Sequence, residues 1–387
     1  MFKIQTLNNI SSAGLHRLAP DGYQVATEVQ HPDAILLRSF DMHGMEIPHS
    51  LKAVGRAGAG VNNIPVEALS KRGIPVFNTP GANAGAVAEI TLAALFLAAR
   101  NICRAWEFAR ALPGDDDEID RRVEAGKKQF RGFELPGRVL GVIGLGAIGV
   151  RVANAALGLG MRVVGYDPEI TVQRAWQLSS QVQQALSVGD LLGHSDFVSI
   201  HVPLTEQTRY LINGERIGAM REGACLLNFS RRTIVDETAV LDALNAGRLH
   251  AYVCDFPSER LSAHPRVVAL PHIGASTREA EDNCAIMVAE QVRDFLEDGI
   301  IRNSVNFPDV VMPRVKGYRL AVVNANVPNM LGQISTCVAR ADLNIVDMLN
   351  NSRGQLAYTL IDVDEPVPQT CLDEIAAIEG VMSVRAL

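Results

Sequence analysis

The chain lacks an apolar run long enough to cross a bilayer. Its longest apolar stretch, from Val87 to Ala99, is interrupted by Glu89 and falls well short of the ~20 residues that a spanning helix needs. The first residues, MFKIQTLNNISSAG, lack the basic start and unbroken apolar segment of a secretory signal. A cytoplasmic protein with no membrane partner is therefore expected. Closely spaced cysteines are missing as well: the six present, Cys103, Cys225, Cys254, Cys284, Cys337 and Cys371, form no C-x-x-C pair. Buried reduced thiols are expected, with no metal site and no disulfide framework. Nor is there an excess of positive charge. Thirty-six Lys and Arg against 43 Asp and Glu leave a net charge of −7, a sign that repels polyphosphate and argues against nucleic acid as a partner.

What is present is 48% hydrophobic and 20% charged residues in a chain of 387, a globular composition with material for about two to four domains. Short apolar runs (FKIQTL, YQVATEV, AILLR, LKAVGRAG, IPVFNTP) alternate with helical stretches up to about residue 80, which predicts a parallel sheet. A long helix is expected over about Ala84 to Ala111, then a solvated turn at the acidic run Asp115 to Glu118. A second series starts at Arg138 with VLGVIG, MRVVGYD, DFVSIHVP, ACLLNFS, LHAYVCDF and RVVALPHIG. A further helix, about Arg278 to Gly299, returns the chain to the first lobe and makes that lobe discontinuous. Two lobes with a cleft between them are the expected frame. After residues 303–313 the order strand, helix, strand, strand, helix, strand predicts a βαββαβ unit of the split-βαβ kind, small enough to want a partner subunit. The fold class is thus α/β, with two Rossmann-like doubly wound parallel-sheet lobes and a C-terminal ferredoxin-like unit.

Within VLGVIGLGAIGVRVANAALGLGMRVVGYD, Gly144-x-Gly146-x-x-Gly149 follows an apolar strand, opens a helix and precedes a second strand that ends at Asp167. Each glycine has a task in such a setting. Gly144 makes the tight turn, Gly146 lets backbone approach a pyrophosphate, and Gly149 lets the helix pack closely on the strand. The pyrophosphate would rest on N–H groups at the helix start. Asp167, 18 residues after Gly149, stands where a carboxylate accepts hydrogen bonds from ribose hydroxyls, which favours NAD over NADP.

Three polar residues follow strands of the same series: Arg231, Glu259 and His272. Ligands of doubly wound sheets bind beyond the carboxyl ends of the strands, so these three would converge there. Oxidation of an alcohol by hydride transfer needs a base, a cation for the developing alkoxide, and a group that tunes the base. His, Arg and Glu suit these roles. Singly, each also reads as an ordinary strand-end histidine, a surface cation or a loop carboxylate.

The run GVIGLGAIG…YD, followed by SIHVPLTEQTRYLI, NFSRR, DFPSE and PHIGASTREA, resembles the D-isomer-specific 2-hydroxyacid dehydrogenase family across the whole second series. RAGAGVNNIPVEALSKRGIPVFNTPGANAG resembles that family's substrate lobe, and the C-terminal unit resembles an ACT domain. The resemblance implies a substrate-binding domain over residues 1–85 and 280–308, an NAD-binding domain over 86–279 and a regulatory domain over 317–387. It implies His272 as the base for the C2 hydroxyl, Glu259 holding and tuning that imidazole, and Arg231 orienting the carboxylate and C2 oxygen. Cofactor contacts are implied at Ala147, Ile148, Val202, Pro203, Phe229, Ser230, Asp255 and Gly274, beside Gly144, Gly146, Gly149 and Asp167.

The same resemblance implies that the loop Gly58-Ala59-Gly60 receives the substrate carboxylate, while Arg38, Ser39 and Arg56 hold a 3-phosphate. The expected reaction is NAD-dependent oxidation of 3-phospho-D-glycerate to 3-phosphohydroxypyruvate, the first step of L-serine synthesis. The alternatives are another D-2-hydroxyacid dehydrogenase or keto-acid reductase, and a NAD-sensing corepressor-like binding protein. Asn326 and Asn344 match the amides that grip L-serine as effector, while Asn324 at the same site stands where the family usually has His and Asn329 where it has Gly, with pure dimerisation as the competing role. Coupling to the active site would then run through a short linker. A homodimer or homotetramer is implied. Three departures stand out: Arg232 where the family usually has Gly, Arg260 where Pro usually follows the Glu, and a segment before Glu259 that is one residue short.

Overall fold

A computed structural model describes residues 1–314 and 317–387. It divides into two compact units, Met1–Asn83 with Arg278–Leu387, and Ala84–Thr277. The first unit begins with strands β1 (Phe2–Leu7), β2 (Tyr23–Ala26), β3 (Ala34–Leu37), β4 (Ala53–Arg56) and β5 (Val76–Phe77), in the spatial order β2-β1-β3-β4-β5. Every pairing is parallel. The central strand β3, AILL, is buried along its whole length, which is why it reads as continuous apolar sequence rather than alternation. One face of this sheet receives the helix Arg278–Asp298 through Val288 and Val292. Gly55 permits that approach, because a Cβ there would lie 2.6 Å from a Val288 methyl.

The second unit contains β6 (Val139–Ile143), β7 (Arg162–Tyr166), β8 (Gln183–Gln184), β9 (Phe197–Ile200), β10 (Ala224–Asn228), β11 (Leu249–Cys254) and β12 (Val267–Ala269). Their order, β12-β11-β10-β9-β6-β7-β8, places the doubly wound switch between β6 and β9, and all pairings are parallel. Ala84–Arg100 and Gly149–Gly158 bury their apolar stripes on one face. The other face is covered through residues such as Leu191, Ile217, Val240 and Leu244.

Two local expectations are corrected here. The helix expected over Ala84 to Ala111 is broken at Asn101, whose left-handed backbone (φ 52°) separates Ala84–Arg100 from Ile102–Arg110. The acidic run is not a turn but the start of a helix, Asp116–Gly126, in which Asp115 accepts the N–H of Glu118 and three acidic residues face the positive end of the helix dipole. Among the described residues no single helix is long and apolar enough to cross a membrane. All six cysteines are free, and five of them are buried.

The C-terminal segment forms β13 (Tyr318–Ala325), β14 (Ile345–Arg353), β15 (Leu356–Val363) and β16 (Val381–Ala386) in the order β14-β15-β13-β16, all antiparallel. Helices Met330–Arg340 and Gln369–Ala376 cover one face. The opposite face packs into the core of the first unit. Ala321, Val323, Tyr358 and Leu360 share one apolar cluster with Phe77, Phe295 and Phe307. The connection to the first lobe is therefore a packed face rather than the expected short linker. Its polar centre is Arg319, fully buried. Arg319 forms two hydrogen bonds to the carboxylate of Asp362 (2.6 and 2.8 Å) and donates three more to the carbonyls of Asp298, Met312 and Pro313. The Tyr358 hydroxyl donates to the Gly299 carbonyl at 2.7 Å.

Candidate active site

In the second unit the strand ends build a cradle from the glycine turn outward. Gly144 takes φ +92°, donates its N–H to Tyr166, and leaves no room for a side chain, since a Cβ would lie 2.6 Å from the His201 carbonyl oxygen. A Cβ on Gly149 would overlap the Gly144 carbonyl oxygen, so the helix Gly149–Gly158 seats directly on the turn. Gly146 differs, for nothing lies within 4 Å of where its Cβ would be. The close packing expected at Gly144 and Gly149 is thus set by backbone contacts, while the backbone at Gly146 is open. Gly149→Ala is expected to force the turn apart, at a cost of about 1–3 kcal/mol. A thermal melt together with an NADH titration checks this, and at least about tenfold weaker binding is expected.

The N–H groups of Gly146, Ala147 and Ile148 donate no hydrogen bond within the described residues and stand at the positive end of a ten-residue helix. Asp167, just past β7, accepts the N–H of Leu145 (2.8 Å) and of Glu169 (2.9 Å). It is thereby fixed beside the glycine turn, with lone pairs left for further donors. Beyond β9, the imidazole of His201 bonds to Ser199 Oγ at 2.8 Å, and burial pushes it down to about 3, so it is neutral in the working range. Its Nδ1 is buried with no partner among the described residues. An open glycine backbone, unpaired N–H groups at a helix start and a positioned carboxylate fit the pyrophosphate and ribose of a dinucleotide.

Beyond β10 the fully buried Asn228 ties the turn together, donating to the Arg231 carbonyl and accepting from Ser230 N–H. Ser230 Oγ in turn donates to the Ile200 carbonyl. These bonds leave Arg231 extended and exposed, with Nη1 on the Ser230 carbonyl at 2.7 Å. Arg232 turns away, donating to the Pro257 carbonyl and pairing with Glu237 at 3.5 Å.

His272 sits on a strained backbone, φ +57°, uncommon for a residue with a side chain. Asp255, 2% exposed, holds the loop by accepting the N–H groups of Ile273 (2.8 Å) and Gly274 (2.7 Å). A Cβ on Gly274 would stand 2.8 Å from that carboxylate and would have to displace it. The Phe256 ring meets the His272 imidazole edge-on at 5.4 Å. Phe229 lies 3.8 Å from the Cβ position of Gly274.

Glu259 is not brought to His272: among the described residues no hydrogen bond or ion pair within 4.0 Å joins them. Glu259 is exposed at the first position of the helix Glu259–Ser262, entered through the N-cap Ser258, whose hydroxyl also donates to Glu237. The short segment before it leaves the Phe256 ring, rather than the carboxylate, against the imidazole. Phe256, Asn228 and His201 were not singled out by the sequence reading, although each stands inside or beside a motif it used.

In the first unit, Arg38 follows β3 and Arg56 ends β4. Arg56 Nε donates to the Arg38 carbonyl, as does Asn63 Nδ2 (both 3.1 Å). The Arg56 guanidinium lies over Gly58 (φ +150°), where a Cβ would collide with it. The loop is pinned by Thr79 N–H on the Gly58 carbonyl and by Asn78 Nδ2 on the Ala59 carbonyl, at 2.6 Å. Ser39 is exposed. In the C-terminal sheet Asn324 is buried, with Nδ2 on the Ala325 carbonyl and an unpartnered Oδ1. Asn326 Nδ2 donates to the Gly354 carbonyl, while Asn344 is exposed with its N–H on Asp364.

A family model described as D-isomer specific 2-hydroxyacid dehydrogenase, NAD binding domain, matches residues 93–274. The chain is 33% identical to the D-3-phosphoglycerate dehydrogenase of Escherichia coli K12, over 99% of this chain and 95% of that one. It is 34% identical to the enzyme of that name from Methanocaldococcus jannaschii, over 88% of this chain but 63% of that longer one. Among solved structures, a Thermus thermophilus protein, TT0316, is 30% identical with a TM-score of 0.63, covering 79% of this chain and 100% of that one. An NAD+-bound 3-phosphoglycerate dehydrogenase of Entamoeba histolytica is 26% identical, with a TM-score of 0.60 and coverages of 79% and 98%.

Proposed function

Because the chain belongs to the D-isomer specific 2-hydroxyacid dehydrogenase family, we propose that it is an NAD-dependent oxidoreductase converting 3-phospho-D-glycerate to 3-phosphohydroxypyruvate, the first step of L-serine synthesis. One observation carries this reading: a dinucleotide cradle, an exposed arginine and a strained histidine follow strands of one parallel sheet, in a chain similar over almost its whole length to a relative named for that substrate.

When bound, NAD supplies the hydride acceptor. The remaining work falls to this chain's own residues. The N–H groups of Gly146, Ala147 and Ile148 take the pyrophosphate, and Asp167 takes the ribose hydroxyls. Val202, Pro203, Phe229, Ser230, Asp255 and Gly274 complete the cofactor contacts. His272 removes the C2 hydroxyl proton, and Arg231 holds the carboxylate and steadies negative charge growing on the C2 oxygen. Phe256, edge-on against the imidazole, orients it. The loop Gly58 to Gly60 receives the substrate carboxylate on the N–H groups of Ala59 and Gly60, that of Gly58 being donated to the Arg56 carbonyl, while Arg38 and Arg56, beside Ser39, take the phosphate.

A cytoplasmic setting, homo-oligomers and L-serine as effector belong to the same reading. The free cysteines support the first. The amphipathic helix Ile102–Arg110, with no buried residue and with Ile102 and Trp106 exposed, supports the second. The unpartnered Oδ1 of Asn324, with Asn326 and Asn344 offering further amides, supports the third.

The test is an NADH-consuming assay. Phosphohydroxypyruvate is expected to be reduced faster than hydroxypyruvate or glyoxylate, and L-serine is expected to slow it. Preference for the unphosphorylated acids would reassign the chain to another 2-hydroxyacid specificity. NADH binding without turnover of any of them would make it a cofactor-sensing protein. An unaltered rate with L-serine would leave the C-terminal sheet a structural role.

A further inference from the structure

The arginine proposed for the phosphate already has a partner. Arg38 Nη1 meets Glu281 Oε1 at 2.7 Å, with the two side chains 38% and 45% exposed. Glu281 lies in the first turn of the helix Arg278–Asp298. The next residue, Asp282, faces elsewhere and accepts from Ser11 Oγ at 2.5 Å. One turn further along the helix, burial pushes the Cys284 thiol up, and the charges of Arg56, Arg38 and Glu281 all act on it. Arg56 Nε donates to the Arg38 carbonyl at 3.1 Å, which ties the second arginine to the residue that Glu281 pairs with.

An ion pair this exposed contributes little to folding, because water screens it and two long side chains must be ordered to form it. Its larger effect is on the neighbouring site. Arg38 alone presents +1 to an incoming anion, and with Glu281 the pair sums to zero. A phosphate monoester, with a charge of about −1.5 to −2 near neutral pH, must displace the Glu281 carboxylate from Arg38 or bind beside it. An unphosphorylated 2-oxo acid has no group to place there.

We propose that Glu281 is a specificity-determining residue that competes with the substrate's phosphate for Arg38 and sets how strongly the site prefers phosphorylated over unphosphorylated acids. This rests on the proposed substrate class. It adds that the preference is held down from within by one carboxylate.

The experiment is steady-state kinetics of the full chain and of Glu281→Gln and Glu281→Asp, with phosphohydroxypyruvate and hydroxypyruvate in parallel. Removing one unit charge beside the phosphate site is worth about tenfold in binding. Glu281→Gln should therefore lower KM for phosphohydroxypyruvate about tenfold, with kcat little changed and KM for hydroxypyruvate unmoved. Glu281→Asp, which keeps the charge, should lie nearer the unsubstituted protein. A KM that is unchanged, that rises, or that shifts equally for both substrates would overturn the inference, since Glu281 would then merely support Arg38. Should the unsubstituted chain reduce hydroxypyruvate but not its phosphate, the substrate reading fails. Glu281→Gln then decides separately: newly gained turnover of the phosphate keeps the competition, and none removes it.

Discussion

His272→Asn is expected to lower kcat by about 10³, within the 10²–10⁴ range that a positioned acid or base contributes, while NADH binding stays within about twofold of the unsubstituted protein. The choice of Asn follows from the backbone. His272 occupies the left-handed region, which Asn tolerates better than Ala, so the loop held by Asp255 through Ile273 and Gly274 stays in place. The expected loss is therefore of proton transfer and not of loop structure. Single-turnover measurement of NADH oxidation, with NADH fluorescence titration as the control, checks both halves. Retention of more than about a tenth of the rate would remove His272 from the role of base.

Arg319→Met should produce the largest loss of stability. The guanidinium is fully buried, and its five hydrogen bonds join β13, β15, the end of the helix Arg278–Asp298 and the segment leading out of it. Removing it strands the Asp362 carboxylate, itself 3% exposed, and breaking a buried pair in this way costs about 3–5 kcal/mol. The melting temperature should fall by on the order of 10 °C, given about 2–4 °C per kcal/mol for units of this size. Adding Asp362→Leu should return part of the loss, because the stranded charge goes with it. A double variant no more stable than Arg319→Met alone would show that the three carbonyl bonds, and not the charge pair, hold the sheet.

Legibility in the sequence followed how local each constraint was. The glycine turn could be read because Gly144, Gly146 and Gly149 lie within six residues of chain, and the clash that a Gly149 side chain would make is with the Gly144 carbonyl inside that span. Asp167 could be read because strand length fixes its distance from the turn. The break at Asn101 could not, since a left-handed asparagine inside an otherwise helical pattern carries no Gly or Pro signal. The Asp115 cap was hidden by its own acidity: four acidic residues in a row suggest solvent, yet Asp115 and Glu118 stand at the spacing of a helix start.

Partners distant in sequence were less accessible still. Nothing near Arg38 announces Glu281, and the spacing of Glu259 suggested a contact with His272 that Phe256 occupies instead. The packed lower face of the C-terminal sheet did leave a trace. The strand β15, LAYTLIDV, is buried at every position and apolar at all but Thr359 and Asp362, and a run of that kind signals a strand covered on both faces.

The first unit is assembled from both ends of the chain, with residues 84–277 set between its parts. During synthesis the intervening unit emerges complete while the opening eighty or so residues still lack the helix and sheet that cover them. At about 5–20 residues per second that interval is roughly 15–60 s. Throughout it, the face of β1 to β5 that later takes the helix Arg278–Asp298 lies bare, which leaves this stretch open to aggregation until the rest of the chain has emerged.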